Sequence, residues 1–271
     1  DVYKRQMQAE FNVVLAQHRQ GWNRSFIFVA ATFAIIFFCW YYVDLFNSER
    51  LGEGIPSLIS LMGEMFPPNF AQLRSWISPL ADTLAMSVAG TSIAVLLSLP
   101  LGFLAAHNTT PHPLVYHFAR TLLNGLRSIP ELIMGIIFVA AVGFGALPGV
   151  LALALHSVGM IAKFFAEAIE HTDQAPIEAA RAAGCSPLQV IFHGVLPQVL
   201  PQMADTAIYR WEYNFRASTV MGMVGAGGIG FELMGSLRIM QYQEVSAILI
   251  VILAMVTLVD GFSGFLRKHF K

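Results

Sequence analysis

Residues 210–216 read RWEYNFR, two arginines and a glutamate inside an otherwise apolar neighbourhood. An ionised group near the middle of a bilayer costs roughly 3 kcal/mol unless it meets a partner or a wet cavity. Spacing sorts these three. Glu212 and Arg216 are four apart with the acid first, the favourable order for an ion pair along one helix face. Arg210 lies six positions from Arg216, so the two point in different directions on a regular helix and do not clamp one small anion from a single chain. One reading divides the labour: Glu212 and Arg216 pair structurally, while Arg210 contacts Glu131 at the head of an earlier apolar run or faces a pathway. The other reading gives every charge the single task of locking helices together. Ser218 and Thr219, which follow in the sequence, are grouped with these four as candidate lining of a translocation pathway or as members of an intramembrane charge network.

The elements that must position these groups belong to a membrane chain. The 271 residues are 56% hydrophobic and only 12% charged, where an ordinary soluble domain carries about a quarter charged residues. The net charge of -1 argues against a nucleic-acid partner. Cys39 and Cys185 lie far apart in different contexts and predict neither a disulfide framework nor a metal site. The first apolar run is of full spanning length and follows polar sequence, so a cleavable signal peptide is not expected.

A cytoplasmic segment, 1–24, leads into a first transmembrane helix at 25–46, bounded by Trp22 and CWYYV. Residues 47–82 are mixed and predict a periplasmic segment with an interfacial helix ended by Pro67 and Pro68. A second span begins near Thr83 and carries small residues suited to close helix contact. A third rises from about Leu122, and GFGALPG at 143–149 turns the chain into a fourth from about Pro148. Val245–Val259 is short, so the last helix must extend past Glu244 or Asp260. The stretch 195–231 is ambiguous by hydropathy, and parity decides it. Lys4, Arg5, Arg19 and Arg24 precede the first span and Arg267, Lys268 and Lys271 follow the last. The positive-inside rule puts both termini in the cytoplasm, which needs an even number of crossings, six with 195–231 included. The fold class is all-α, polytopic, with six transmembrane helices, of which five form a core over 83–271.

That topology leaves 170–193 as a cytoplasmic loop. Pro176 opens a helix rich in alanine, and Gly184 fits the left-handed position that closes it. Ser186 caps a second helix with Pro187 at its first position and Gln189 completing a capping box. The product is two short helices joined by a glycine, with a polar side at Gln174, Glu178, Arg181 and Gln189 and a flat one at Ala179, Ala180, Ala182 and Ala183. Such a helix fits a partner's groove or lies on the lipid surface as a plain connector.

EAARAAGCSPLQVIFHGVLP, from Glu178 to Pro197, resembles the EAA loop of bacterial ABC importer permeases. Glu178, Ala179, Ala180, Gly184, Leu196 and Pro197 match that pattern, and Gly194 departs from it where an isoleucine is usual. LRSIPELIMGIIFVAAVGFG at 126–145 and RWEYNFRASTVMGMVGAGGIGFEL at 210–233 are similar to the permeases of phosphonate ABC transporters, with phosphite and hypophosphite permeases as close relatives. The resemblance implies a type I importer fold in the bacterial inner membrane. It implies a homodimeric channel, two ATPase subunits and a periplasmic phosphonate-binding protein. It further implies that the loop is a coupling helix docking on the ATPase, through Glu178, Ala179, Ala180, Arg181, Gly184, Ser186 and Leu188. In such a homodimer, two copies of Arg210 around the axis could offset the charge of a phosphonate in transit. ATP and magnesium belong to the ATPase subunit. This chain has no Walker-type GKS or GKT, binds no cofactor of its own and is expected to be non-catalytic.

GAGGIG at 225–230 fits a dinucleotide fingerprint only with a preceding strand and a crossover helix, neither expected here. Gly225, Gly227, Gly228 and Gly230 instead let the backbone bend or pack closely at the outer end of the fifth span. The resemblance implies a periplasmic gate there. His107, His112 and His117 are five apart, off a common helix face, and read as solvated interfacial residues. Lys163 and Glu167 are spaced for a structural pair. A secondary transporter relaying protons through Glu131 and Glu212 is the competing class, although the internal repeats it calls for are not evident. A membrane-embedded enzyme would need a motif such as HExxH or GxSxG, and the sequence has neither.

Overall fold

The computed structural model describes Trp22 and residues 25–269. Every regular element among them is helical. The predicted cytoplasmic segment 1–24 lies, Trp22 apart, outside the described residues, as does Lys271.

The chain divides at Gly63/Glu64 into two units. The first holds α1, Ser25–Tyr42, an 18-residue apolar helix whose side chains are exposed throughout. It ends before the predicted 46 because Asp44 adopts a left-handed conformation (φ 54°) that a continuing helix does not tolerate. The helix α2, Ser48–Glu64, follows, ahead of Pro67 and Pro68.

The second unit begins with α3, Ile77–Ala105, and α4, Pro113–Ser128. The third span does not rise as one helix from Leu122. Pro130 forces its predecessor Ile129 into an extended conformation (φ -90°, ψ 120°), and α5, Glu131–Val142, leaves at 85° to α4. Gly143 and Gly145, both at positive φ, turn the chain into α6, Ala146–Glu170. The loop helices α7, Gln174–Ala182, and α8, Pro187–Val190, precede a π-helical turn at Ile191–Val195 and then α9, Leu196–Met221. A glycine-rich break bends the chain by 57° into α10, Ile229–Arg238. The last helix, α11, spans Tyr242–His269 and so extends past both Glu244 and Asp260. Among the described residues four helices are long and apolar enough to cross a membrane, or up to six spans if each bent pair counts as one.

α6 is the central strut, packed against α3, α4, α5 and α9. Small residues set its distances. A Cβ on Gly102 of α3 would sit 2.8 Å from Phe165 Cβ, and one on Gly159 would sit 3.0 Å from backbone atoms of α4. Between apolar helices in lipid, where the surroundings are as greasy as the interface, such close backbone approach supplies the packing attraction.

Candidate functional site: intramembrane charges and the 170–193 loop

α9 carries its polar residues on several faces, and each face meets a different helix. Glu212 accepts from Arg216 Nη2 at 3.0 Å, the pair expected from spacing, and its other oxygen accepts from Arg267 Nη2 at 2.8 Å and Ser263 Oγ at 3.2 Å. Arg216 Nη1 also donates to Asp260 at 3.1 Å. Two acids and two arginines thus neutralise each other across α9 and α11, which offsets the desolvation each would otherwise suffer. The partners on α11 lie 44 to 55 residues away in sequence.

Arg210 does not take the Glu131 contact and instead joins helices, as the second reading has it. Its Nε donates to Ser157 Oγ of α6 at 2.9 Å, its guanidinium lies 4.2 Å over the Tyr213 ring, and it is buried. Ser157 in turn donates to Asn214 Oδ1 at 3.0 Å, and Asn214 donates to Thr91 Oγ1 of α3 at 2.9 Å. Arg210 Nη2 has no hydrogen-bond partner among the described residues. This chain of side chains ties α3, α6 and α9 together near their middles.

Glu131, at the first turn of α5, takes Tyr213 and His156 instead. Tyr213 donates its hydroxyl at 2.6 Å, and His156 Nε2 stands 3.2 Å away. The other ring nitrogen of His156 faces the Ile129 carbonyl at 3.1 Å. The two ring nitrogens of His156 thus face a carboxylate on one side and a backbone carbonyl on the other, which fixes the ring between α5 and the end of α4. Glu131 and Arg216 share a cavity of about 240 Å³ with Leu132, Tyr213, Ala217, Val220 and Met221. Arg210 is absent from its lining. Ser218, buried between α9 and α3, donates to the Phe215 carbonyl at 2.7 Å, and Thr219 donates to the Arg216 carbonyl at 2.7 Å. Neither lines that cavity: Thr219 is turned back onto its own helix, and Ser218 Oγ also lies 3.2 Å from the Thr83 carbonyl of α3.

The glycines at 225–230 build a tight corner. Gly225, Gly227 and Gly228 have φ of 103°, 77° and 73°, angles that favour glycine. Gly230 sits inside α10 for another reason: a Cβ there would overlap the Thr219 carbonyl. The Ile229 amide donates to Thr83 Oγ1 of α3 at 2.9 Å, fixing the corner to the second span. No strand precedes this motif among the described residues, so the dinucleotide geometry is missing.

On the opposite side, the loop follows its punctuation with one change. α7 begins two residues ahead of Pro176, capped by Asp173, which accepts from the Ala175 amide at 3.1 Å. Gly184 closes the helix at φ 81°, and the Ser186 amide donates to Gln189 Oε1 at 2.8 Å. Glu178, Ala179, Arg181, Gly184, Ser186 and Leu188 are exposed and Ala180 is half-buried, while Ile177 and Val190 turn inward. The departure at Gly194 has a reason: a Cβ there would come within 3.3 Å of Ile177 Cα. Val190 takes the inward apolar contact. Lys163 and Glu167 pair at 3.7 Å, and His112 caps α4 through Nδ1.

Sequence reasoning passed over His156, Asn214 and Asp260. The available signal was the same that marked Arg210, a polar side chain inside a spanning run.

The fold is similar to that of a chain of the MetNI methionine ABC transporter, which superposes with TM-score 0.65 at 22% identity, over 75% of this chain and 99% of that one. Residues 98–271 match the family described as binding-protein-dependent transport system inner membrane component, and this chain belongs to that family. It is 72% identical over 251 residues to the phosphite transport system permease protein PtxC of Stutzerimonas stutzeri, covering 93% of this chain and 91% of that protein. It is also 44% identical over 211 residues to the phosphate-import permease protein PhnE of Mycolicibacterium smegmatis, over 78% of this chain and 40% of that one.

Proposed function

We propose that this chain, as a pair of identical copies, forms the membrane path of an ATP-driven importer for a small phosphorus oxyanion. The observation that carries the reading is the 72% identity to a phosphite permease over almost the whole chain. Phosphite is accordingly placed ahead of the phosphonates. A separate ATPase subunit, present twice, binds ATP and magnesium and docks on 170–193, where the exposed faces of α7 and α8 present Glu178, Arg181, Ser186 and Leu188. A periplasmic binding protein delivers the anion. Both termini are cytoplasmic, the corner at Gly225–Gly230 closes the periplasmic end, and the chain itself performs no hydrolysis.

The test is reconstitution in proteoliposomes of the chain with its ATPase and binding proteins. Uptake of phosphite should require ATP and the ATPase subunit, and excess phosphite should compete better than methylphosphonate or phosphate. Uptake by the chain alone under a proton gradient would establish the secondary-transporter class instead.

A further inference from the structure

The cytoplasmic loop has two anchors of different kinds. At its far end Gln198 of α9 clasps the loop: its Oε1 accepts from the Asp173 amide at 2.9 Å, and its Nε2 donates to the carbonyls of Asp173 and Gly194. At its near end stands Glu170, the last residue of α6 and mostly buried. One oxygen, Oε1, accepts from Arg120 Nη2 of α4 at 2.7 Å and from the His107 amide at 2.9 Å, with His107 Nδ1 at 3.1 Å. Arg120 Nε donates to the carbonyl of Ala105, the last residue of α3, at 2.8 Å. Asn108 Nδ2 reaches the Ile169 carbonyl at 2.7 Å. The end of α3, the middle of α4 and the end of α6 therefore converge on one carboxylate, at the residue where the loop begins.

The loop's underside is not packed solid against that junction. A cavity of about 220 Å³, lined in part by Asn108, Thr109, Ile177, Cys185 and Val190, separates α7 from the corner joining α3 to α4. Beside it, Ile177 and Val190 join the same apolar core as Ala119 and Leu123 of α4, so the loop's side-chain contact in that direction is apolar and without fixed direction. The α4–α6 seam itself is made of Ala119, Leu123 and Gly159, apolar and small groups whose attraction is non-directional and lets helices slide. A charged, doubly bonded guanidinium does not slide, because both its donors have fixed directions. α4 leads into α5, whose first turn carries Glu131 beside the intramembrane cavity.

We propose that Glu170 and Arg120 form a strut that carries displacement of the cytoplasmic loop to α4 and, through the bend at Pro130, to α5 and the Glu131 cavity. The inference rests on the importer reading given above. Glu170 is a positioning residue that acts on the path through Arg120.

The experiment uses the complete transporter in proteoliposomes with phosphite as the probe, and reads phosphite taken up per ATP hydrolysed. Glu170→Gln and Arg120→Gln should assemble with the ATPase and hydrolyse ATP within about twofold of wild type, while the uptake ratio falls about threefold or more, the range in which residues of a coupling network act. His107→Ala, which keeps the amide bond to Glu170, should hold the wild-type ratio. The reversed pair Glu170→Arg with Arg120→Glu should recover part of the loss. A wild-type ratio in the assembled single variants overturns the strut, as does reduced assembly with an unchanged ratio. If neither single variant assembles, the reversed pair decides: failure to assemble, or assembly without coupling, overturns it. A wild-type chain that neither binds the ATPase nor takes up phosphite refutes the importer reading itself, before any variant is compared.

Discussion

Replacing Glu212 by glutamine removes one negative charge and leaves the shape of the side chain. In the native protein its two oxygens accept from Arg216, Arg267 and Ser263 at 3.0, 2.8 and 3.2 Å. Hydrogen bonds to charged groups in water-soluble proteins contribute about 1.5–3 kcal/mol each, which for three would sum to about 4.5–9 kcal/mol. Between membrane helices the measured contributions are smaller, averaging about 0.6 kcal/mol, because the unfolded helices also find partners in the bilayer. Arg216 and Arg267 are partly exposed, which weakens their share further. Glutamine also still offers one acceptor. These considerations set the expected loss at about 2 kcal/mol, near a thirtyfold shift in the folding equilibrium. The assay is reversible unfolding of the purified chain in mixed detergent micelles, with Arg267→Gln as the milder companion. The double variant should lose less than the sum of the two, because the variants share a contact. A Glu212→Gln midpoint equal to wild type, or strict additivity in the double variant, would refute the view that this network joins α9 to α11.

Other outcomes follow from the same structure. Gly222→Ala places a Cβ 2.5 Å from the Gly227 carbonyl oxygen and 2.8 Å from Gly230 Cα, so it should cost about 1–3 kcal/mol, measured by thermal unfolding. Gly235→Ala, a helical position with open space around it, should be neutral or stabilising by up to about 1 kcal/mol. Gly184 meets nothing within 4 Å but has φ 81°, so Gly184→Asp should leave the chain inserted, strain the loop by about 1 kcal/mol and lower ATPase binding in a pull-down. Arg210→Gln should destabilise the chain by about 1–2 kcal/mol through loss of the Ser157 bond while uptake per assembled complex stays unchanged. Lost uptake with assembly intact would give Arg210 a transport role after all. Cys185 should react with an impermeant thiol reagent only from the cytoplasmic side of sealed vesicles, and labelling from outside would invert the topology.

Much of the architecture is written locally. Run length separates spanning helices from the rest because one turn advances a fixed distance through a bilayer of fixed thickness. The loop at 170–193 was legible for a similar reason: Gly184, Ser186, Pro187 and Gln189 act on backbone within three residues of themselves. The Glu212–Arg216 pair belongs to the same class, since a spacing of four on one helix dictates proximity. The bend at Pro130 was equally local, since a proline restricts the residue before it, and Arg127, Ser128 and Glu131 already interrupt the apolar sequence there. Tertiary structure decided which helix faced which, and at what height and rotation. Glu131 meets Tyr213 and His156 rather than Arg210, and Arg210 meets Ser157, because α5, α6 and α9 approach with one relative register among many that the same sequences allow. Helical periodicity fixes neighbours along one axis. It contains nothing about the sliding and turning of one axis against another, which packing at Gly102, Gly159 and Gly222 settles.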